Sequence, residues 1–424
     1  MNKSNGKPKL AVLFHRLGPY HHARLAAVAV GRDSMEVGKF SLVTVQGCSM
    51  DRIYAWDKVS DSEDFPVDTL FQNGALDDQP KGEVLRRMTE SLNKINPAVV
   101  VVPGWTDSMA LAALMWCGTN QVPAVCMSES TEWDSERTSW REAVKRRIVG
   151  LCSAALVGGR PHKDYMVKLG MPPERIFSGY DAVDNDYFAE KAGESRKLRT
   201  EIRKEHDLPE NYFLASARFV EQKNLPRLLE AYAFYRKKSQ AGKPPSIPWD
   251  LVLLGDGPLR PELCRLISDL QLGACVHLPG FKQYHELPVY YGLASAFVHA
   301  STMEPWGLVV NEAMASGLPL LVSNRCGCAR DLVHEGVNGF TFDPDNVEQI
   351  AEAMFRMAHG AIGEIDLKRM SDASREIIKA WGPERFAQGI HSAVEVALKH
   401  PCPQIGLLDR VLLRGLLYKS ASAL

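Results

Sequence analysis

The stretch AFVHASTMEPWGLVVNEAMASGLP, residues 296–319, contains a strand, a loop and a helix in immediate succession. Ala296–His299 is short and apolar, as a buried strand is, and the helical run that follows Gly307 stops at Gly317 and Pro319. A helix that follows a strand in this way points its N-terminus at the carboxyl edge of the sheet, where α/β proteins bind their ligands. The stretch therefore predicts an α/β fold with a binding site at this loop.

The same alternation of short apolar runs and longer helical segments extends along most of the chain. It predicts two series of strands, the first at Leu10–His15, Phe40–Gln46, Ala98–Val102, Val122–Met127 and Ala154–Val157, and the second at Tyr212–Ser216, Trp249–Leu254, Val276–Leu278, Ala296–His299, Leu320–Ser323 and Gly339–Phe342. Strands that alternate with helices form parallel sheets covered by helices on both faces. We therefore expect two Rossmann-like, doubly wound domains with a ligand cleft between them.

A charged segment poor in apolar residues, Glu190–His206, separates the two series. We predict a first domain at residues 1–190, a second domain at 200–385, and a helical tail at 386–424. Within the tail, Ile405–Lys419 mixes apolar and basic residues. Two interpretations remain open for it, namely a helix that docks on the first domain and an interfacial helix that touches a membrane.

The composition is that of an ordinary globular protein. The 424 residues are 45% hydrophobic and include 50 basic and 51 acidic side chains, so no overall field favours nucleic acid as a partner. Nine scattered cysteines do not form a disulfide framework, and no run of 18 apolar residues exists that would span a bilayer. The apolar stretch near the amino terminus is too short for a secretory signal. We therefore expect a cytoplasmic protein.

Residues at the quoted loop carry groups suited to an anionic, hydroxyl-rich ligand. The backbone N–H groups of Gly307, Leu308 and Val309 begin a helix, and together with the helix dipole they form a phosphate site. Glu304 before the helix and Glu312 on it offer carboxylates, which accept hydrogen bonds from sugar or ribose hydroxyls.

Two basic residues follow the first strand of the second series. Arg218 and Lys223 lie on the loop after Tyr212–Ser216, at the edge where the quoted loop is also expected. A guanidinium fork and an ammonium suit a diphosphate. We expect both cations to be exposed.

These residues belong to motifs that resemble those of a known protein family. From Phe213 to Asp345 the chain resembles the retaining nucleotide-sugar glycosyltransferases of family 4, which have the GT-B architecture of two facing doubly wound domains. The motifs that carry the resemblance are Ala217–Phe219 with Lys223–Leu225, Leu253–Pro258, Leu278–Phe281, Glu304 to Glu312 with Trp306–Leu308, and Glu335–Phe340.

The resemblance implies a role for each of these groups. Arg218 and Lys223 would hold the donor's pyrophosphate, and Glu312 would hold its ribose. Glu304 would contact the transferred sugar, and the backbone near Phe281 would meet the base. The first domain would then serve the acceptor and the second the nucleotide-sugar donor.

The implied reaction is a retaining, metal-independent transfer of a sugar from a UDP or GDP donor to a saccharide or a lipid-linked saccharide. Surface polysaccharide or glycoconjugate synthesis is the implied process. No cofactor is expected, because Asp184-Asn-Asp186 fits a turn better than a metal site. A nucleotide-sugar epimerase, a phosphorylase and an inactive scaffold subunit are the alternatives.

Candidate residues for the acceptor lie in the first domain. His21 and His22 share the loop after the first strand with Gly18, where many relatives have a glycine pair. Trp105 follows a later strand, and its indole would either stack on a sugar face or pack into the core. Glu129, or Ser128 if the correspondence shifts by one residue, falls where relatives tend to have a histidine. We predict a catalytic role for Glu129, either in contact with the sugar or in orienting the acceptor hydroxyl, with a helix-capping or loop carboxylate as the alternative.

Overall fold

The computed structural model describes residues 7–30, 40–49, 64–241, 246–359, 364–400 and 403–419. The chain divides into two compact units, Met1–Ala182 with Pro383–Leu424, and Val183–Gly382. The second unit is one continuous segment, whereas the first includes both ends of the chain. The boundary after Ala182 thus lies before the charged segment Glu190–His206, from which we predicted a domain boundary. The predicted tail, residues 386–424, belongs to the first unit.

The first unit contains a parallel sheet of seven strands. They are β1 (Lys9–Phe14), β2 (Ser41–Cys48), β3 (Val67–Phe71), β4 (Val99–Pro103), β5 (Ala124–Ser128), β6 (Ala154–Val157) and β7 (Ile176–Ser178). Their order across the sheet is β3-β2-β1-β4-β5-β6-β7, and every pairing is parallel. The order reverses between β1 and β4, which makes this the topological switch point of the sheet.

Helices cover both faces of this sheet. The first five are α1 (Pro19–Val30), α2 (Lys81–Ile95), α3 (Ser108–Asn120), α4 (Ser139–Val149) and α5 (Arg160–Lys168), while α15 (Pro383–Lys399) and α16 (Leu407–Tyr418) come from the end of the chain. Phe386 and Ile390 of α15 are buried against β6, β7 and α1. On the other face, Leu413 and Leu417 of α16 join the core formed by α2 and α3.

The second unit contains a parallel sheet of six strands. They are β8 (Tyr212–Ser216), β9 (Asp250–Leu254), β10 (Val276–Gly280), β11 (Ala296–His299), β12 (Leu320–Ser323) and β13 (Gly339–Phe342). Their order is β10-β9-β8-β11-β12-β13, again all parallel, so the switch point lies between β8 and β11. The doubly wound α/β prediction is confirmed for both sheets.

The helices of the second unit complete its layers. They are α6 (Asn185–Lys197), α7 (Arg199–His206), α8 (Leu225–Ala241), α9 (Arg260–Asp269), α10 (Leu287–Leu293), α11 (Leu308–Ala315), α12 (Ala329–Leu332), α13 (Val347–His359) and α14 (Glu364–Lys379). The aromatic side chains of Phe213, Tyr232 and Tyr235 are fully buried where α8 packs on the sheet. This packing fixes the loop between β8 and α8, which carries Arg218 and Lys223.

Two strands were not predicted from the sequence, and both lie at the edges of the first sheet. Val67–Phe71 contains Asp68 and Thr69, and Ile176–Ser178 has three residues. An edge strand pairs on one side only and needs fewer apolar residues than a central strand, so its sequence is less distinctive.

Two further expectations concern the redox state and the membrane. The eight cysteines within the described residues form no disulfide bond with one another, while Cys402 lies outside these residues. Along the described stretches, each helix is too short or too polar to cross a lipid bilayer. The prediction that the chain has no secretory signal rested partly on its first six residues. These residues also lie outside the described ones.

Candidate active site

The loops after β8 and β11 meet at the switch point of the second sheet. The backbone N–H of Thr302 donates to the carbonyl of Gln222 at 2.9 Å, which ties the two loops together. A third loop, after β12, joins them because the N–H of Gly327 donates to the carbonyl of Glu304 at 2.9 Å. Three loops from neighbouring strands therefore converge on Glu304.

The carboxylate of Glu304 is the centre of a polar cluster. Its Oε2 atom accepts hydrogen bonds from the Lys223 ammonium, from His299 Nε2 at 2.9 Å, and from the Ser301 hydroxyl at 3.3 Å. The Lys223 side chain is 15% exposed and that of Glu304 is 12% exposed. The expectation that Lys223 is an exposed cation was wrong, because Glu304 draws it into the site. Arg218 is exposed as predicted.

The protonation states in this cluster follow from burial and charge. Burial favours the neutral acid, but the His299 hydrogen bond and the Lys223 charge outweigh it and lower the pKa of Glu304 to about 2. Burial also lowers the pKa of His299, although its bond to Glu304 opposes the shift. At neutral pH a neutral His299 thus donates Nε2–H to an ionised Glu304, which can only accept. Neither His299 nor Ser301 was predicted from the sequence. The position of His299, at the end of an apolar strand and at the carboxyl edge of the sheet, could have indicated a site residue.

The loop that carries Arg218 is shaped by its close contact with Gly255. This glycine has a φ of +123°, and a Cβ atom there would lie 1.9 Å from the carbonyl oxygen of Ala217, so no other residue fits. The N–H of Gly255 donates to the carbonyl of Gly280 at 3.0 Å. Phe281 follows directly and is exposed. Arg218 and Phe281 therefore lie at the same edge of the sheet, on loops linked through one glycine.

The α11 helix begins beside Glu304. Gly307 has a φ of +101° and precedes the helix, whose first turn contains Leu308 and Val309. The first N–H groups of a helix have no partner within it, so they can bind an anion. The side chain of Glu304 passes close by, with its Cγ 3.3 Å from where a Cβ of Gly307 would be. The predicted phosphate site and the Glu304 cluster are therefore adjacent.

Glu312 differs from Glu304 in its surroundings. Its side chain is buried, and its Oε2 accepts a hydrogen bond from the Tyr291 hydroxyl at 2.6 Å. Burial, with the nearby charge of Glu312, raises the pKa of Tyr291 and of Tyr284. Glu312 is thus held inside the unit by a tyrosine that the sequence reading did not single out.

The switch point of the first sheet also carries polar groups. His15 follows β1 and Asp107 follows β4, and His15 Nε2 lies 3.0 Å from an oxygen of Asp107. The other oxygen of Asp107 accepts from the N–H of Ala110 at 2.8 Å and so caps α3. The pair was not predicted from the sequence, although His15 ends one predicted strand and Asp107 follows another.

The predicted acceptor-side histidines lie on α1 and not on a loop. The N–H of Gly18 donates to His21 Nδ1 at 3.1 Å, and the His21 ring lies 4.5 Å from that of Phe14. Burial, assisted by nearby Arg24 and other cations, lowers the pKa of His21 to about 3. His21 is therefore a neutral capping residue, while His22 packs near Phe65.

Trp105 and Glu129, both predicted on the acceptor side, differ in where their side chains lie. Trp105 is 2% exposed and belongs to the core, so the interpretation as a sugar-stacking indole was wrong and the core alternative holds. Glu129 follows β5, is partly buried, and is close enough for its charge to contribute to the raised pKa of Tyr180. Glu129 thus remains at the carboxyl edge of the sheet.

The Asp184-Asn-Asp186 segment forms a helix start. The Asp184 carboxylate accepts from the N–H of Tyr187 at 2.9 Å and caps α6, as turn chemistry predicts. The described stretches contain no group of three or more His, Cys, Asp or Glu side chains placed to hold a metal ion.

Part of the chain is similar to known glycosyltransferases. Residues 199–376 match the family described as "Glycosyl transferases group 1". An alpha-monoglucosyldiacylglycerol synthase from Acholeplasma laidlawii is 32% identical over 128 residues, 30% of each chain. Matches to the first curated relatives cover between 21% and 53% of the length of those proteins.

Solved structures match over nearly the whole chain. A glycosyltransferase from Rickettsia africae superimposes with a TM-score of 0.69 and 14% identity, covering 93% of this chain and 99% of its own. Anabaena HepE, solved with UDP and glucose, gives a TM-score of 0.67 at 16% identity, covering 92% and 99%. At this identity the likeness establishes the fold. The predicted GT-B fold and the resemblance to group 1 glycosyltransferases are both confirmed.

Proposed function

We propose that this chain, which carries a group 1 glycosyltransferase domain in a GT-B fold, transfers a sugar from a nucleoside diphosphate sugar to a hydroxyl of a saccharide or lipid-linked saccharide. The observation that carries the proposal is the buried, ionised Glu304 bonded to Lys223 at the start of α11. A carboxylate beside a cation and a helix N-terminus suits a ligand with both hydroxyls and phosphates. The UDP and glucose bound to HepE support a nucleotide-sugar donor. UDP or GDP is the nucleotide we propose for it.

Lys223 and Arg218 are the proposed partners of the diphosphate. An ammonium has three donors, so Lys223 can keep its bond to Glu304 and still donate to a phosphate oxygen. Arg218 adds an exposed fork, and the N–H groups at Gly307, Leu308 and Val309 add a helix dipole. These groups stabilise the negative charge that grows on the leaving diphosphate.

Glu304 is the proposed partner of the transferred sugar. Because it is ionised, it accepts hydrogen bonds from sugar hydroxyls and stabilises positive charge that develops at the anomeric carbon. His299 and Ser301 are positioning residues in this proposal, since they fix the carboxylate from the side of the sheet. Glu312 and the backbone near Phe281 keep the proposed contacts with ribose and base.

We propose retention of configuration on the basis of these assignments for Glu304 and Glu312. With Glu304 and Glu312 both engaged, neither is free to deprotonate an acceptor on the face opposite the diphosphate. The acceptor oxygen then attacks the anomeric carbon from the face of the leaving group, the bond to the phosphate oxygen breaks, and that oxygen takes the acceptor proton. An α-linked donor should therefore yield an α-linked product. Proton NMR of the early product tests this, and a β-linked product would contradict it.

The proposed reaction needs no metal, because Lys223, Arg218 and the start of α11 supply positive charge to the diphosphate. Enzyme treated with EDTA should keep most of its activity. If activity disappears and returns with magnesium or manganese, the assignment of these charges is wrong.

The first unit is the proposed acceptor side. Its switch point offers His15 and Asp107, and Glu129 lies at the same sheet edge as a second carboxylate. We propose assembly of a surface polysaccharide or glycoconjugate, carried out in the cytoplasm. A lipid-linked acceptor lies at a membrane, so the proposal includes peripheral contact with its inner face.

A panel of nucleoside diphosphates and nucleotide sugars in a thermal-shift assay tests the donor class. A ligand at 100 times its dissociation constant stabilises the protein by about 2.7 kcal/mol. If no nucleotide stabilises the protein, the donor assignment fails. Product analysis with the donor alone distinguishes an epimerase, which needs no acceptor, and a pyridoxal absorption band would indicate a phosphorylase.

A further inference from the structure

The α16 helix presents an apolar face to the solvent. Leu407, Leu408 and Val411 are 78%, 81% and 63% exposed, and Tyr418 is also exposed. Their spacing places them on one side of the helix, with Arg410 and Arg414 beside them. We call these six residues the outer face of α16. Large apolar side chains grouped in this way on a surface mark an interaction site.

The opposite side of α16 fixes the orientation of the helix. Leu413 and Leu417 are buried in the core, and Asp409 is bonded to the Arg147 guanidinium at 2.5 Å and 3.0 Å. The Asp409 carboxylate also accepts from the N–H of Gly406 at 3.0 Å. Since the inner side is held by both packing and an ion pair, the apolar outer face cannot turn inward without losing them.

The α4 helix runs antiparallel to α16 and extends the same surface. Arg147 near the end of α4 meets Asp409 near the start of α16, while at the other end the Lys419 ammonium lies 5.7 Å from the ring centroid of Trp140. Trp140 is half exposed, and the Arg141 guanidinium lies 5.5 Å from its ring. Tryptophan is common at the boundary of water and lipid, because its indole combines a large apolar ring with a polar N–H.

The charge on this surface is positive, although the whole chain has a net charge of −1. Arg410, Arg414 and Lys419 are exposed cations. The acidic residues of the two helices are engaged inward: Asp409 with Arg147, and Glu142 with the Tyr165 hydroxyl at 2.9 Å. An apolar face beside unneutralised cations is complementary to lipid headgroups that carry negative charge.

We propose that the outer face of α16, together with Trp140 on α4, binds an anionic lipid surface. The leucines enter the boundary between headgroups and acyl chains, while Arg410, Arg414 and Lys419 contact the phosphates. This inference deepens the membrane contact in the proposed function by assigning its residues and its lipid charge. The experiment below measures binding and not transfer, so the inference and the proposed reaction can fail separately.

Co-sedimentation of the full chain with vesicles tests the proposal. Vesicles of equal parts phosphatidylglycerol and phosphatidylcholine should bind the protein, vesicles of phosphatidylcholine alone should bind it much less, and high salt should weaken the binding. The double variant Arg410→Glu and Arg414→Glu should bind at least about 25-fold more weakly, since each cation contributes about fivefold. Replacing Leu407 and Leu408 by serine should also reduce binding.

Matched controls lie on other surfaces. Arg369→Glu with Lys379→Glu changes two exposed cations of α14, and Val30→Ser with Val337→Ser changes two exposed apolar residues. Both pairs should bind like the wild type. Slower hydrogen exchange at residues 407–418 of the wild type in anionic vesicles provides a measurement that needs no variant.

Several results would overturn the proposal. These are no binding to anionic vesicles, equal binding to neutral ones, equal losses in the control variants, and unchanged exchange at residues 407–418. A dimer in light scattering that dissociates when Leu407 and Leu408 are replaced would show that a second copy of the chain covers this face instead.

Discussion

The two sheets reverse their strand order at corresponding places, but the polar groups at the two reversals differ in burial and in charge. In the second unit, His299 is 3% exposed and donates to an ionised glutamate that also binds a lysine. In the first unit, His15 is 42% exposed and meets the single carboxylate of Asp107. The same topology thus supports a buried cluster of three polar groups around Glu304 in one unit, and in the other a pair whose histidine is open to solvent while Asp107 is 15% exposed.

This difference suggests how the two sites contribute to the proposed reaction. A buried ion pair has a large electrostatic effect because little water screens it, whereas a pair with one solvent-exposed member, such as His15, is screened more strongly. Charge stabilisation during bond cleavage therefore belongs to the Glu304 cluster. The His15 and Asp107 pair is suited to placing an acceptor, which needs hydrogen bonds and no strong field.

Removing the charge of Glu304 is the most direct test of the difference between the two sites. Glu304→Gln keeps the shape of the side chain but no longer stabilises a positively charged transition state, so turnover should fall about 100- to 1,000-fold. Donor affinity, measured by calorimetry, should change only a few-fold. Glu352→Gln, which alters an exposed partner of Lys238, is the control. A near-normal rate in Glu304→Gln would remove this residue from the mechanism.

Substitutions of Lys223 and Arg218 should have similar effects on turnover but different effects on stability. Either alanine variant should slow turnover roughly 10- to 150-fold, as expected for the loss of a charge-assisted contact of about 1.5–3 kcal/mol. Lys223→Ala should also lower the melting temperature, because it leaves a buried carboxylate without its cation, while Arg218→Ala should not.

Lys238→Ala, which breaks an exposed ion pair, is the matched control and should leave both properties unchanged. If both site variants keep more than half of the wild-type activity with saturating donor, the diphosphate assignment is wrong.

The pH dependence of stability provides a third comparison. The pKa of Glu304 is lowered from 4.5 to about 2, so its contribution to stability is present above about pH 4.5 and is lost as the pH falls toward 2. The full contribution is about 3 kcal/mol. In urea unfolding, the difference between wild type and Glu304→Gln should therefore shrink between about pH 7 and about pH 3. A difference that stays constant would mean that Glu304 is not held ionised.

The smallest effect is expected in the first unit. His15→Gln should raise the KM of the acceptor about 2- to 10-fold, the equivalent of one neutral hydrogen bond, and should leave the donor's dissociation constant unchanged. His277→Gln is the control, because His277 meets Asp250 at 2.9 Å in an analogous pair away from the switch points. An unchanged acceptor KM in His15→Gln would assign the acceptor to another part of the molecule.

The sequence predicted the fold well because central parallel strands are apolar throughout. Tyr212–Ser216, Ala296–His299 and Leu320–Ser323 are strands at the predicted residues. The edges Val67–Phe71 and Ile176–Ser178 were missed because their composition does not require burial on both sides. Both edges of the second sheet, β10 and β13, were predicted, so the two missed strands belong to the first sheet alone.

The candidate site was predicted only in part, because a chain position does not determine a side-chain partner. Strand order brings Lys223 and Glu304 to one edge, but their bond, and the support from His299, depends on three-dimensional packing. Trp105 shows the opposite case, since its loop position suggested a ligand contact while the core holds its indole. Glu312 was correctly placed on the helix, but Tyr291 could not be inferred as its partner.

The return of α15 to the first unit has a consequence for synthesis of the chain. Phe386 and Ile390 are buried against strands that the ribosome completes some two hundred residues earlier. Until α15 emerges, the apolar surface of β6 and β7 that it contacts is not covered by it, while Val183–Gly382 already has all of its own strands. During translation the second unit can therefore complete its fold before the first, and the apolar strands of the first unit that await α15 are a surface prone to aggregation.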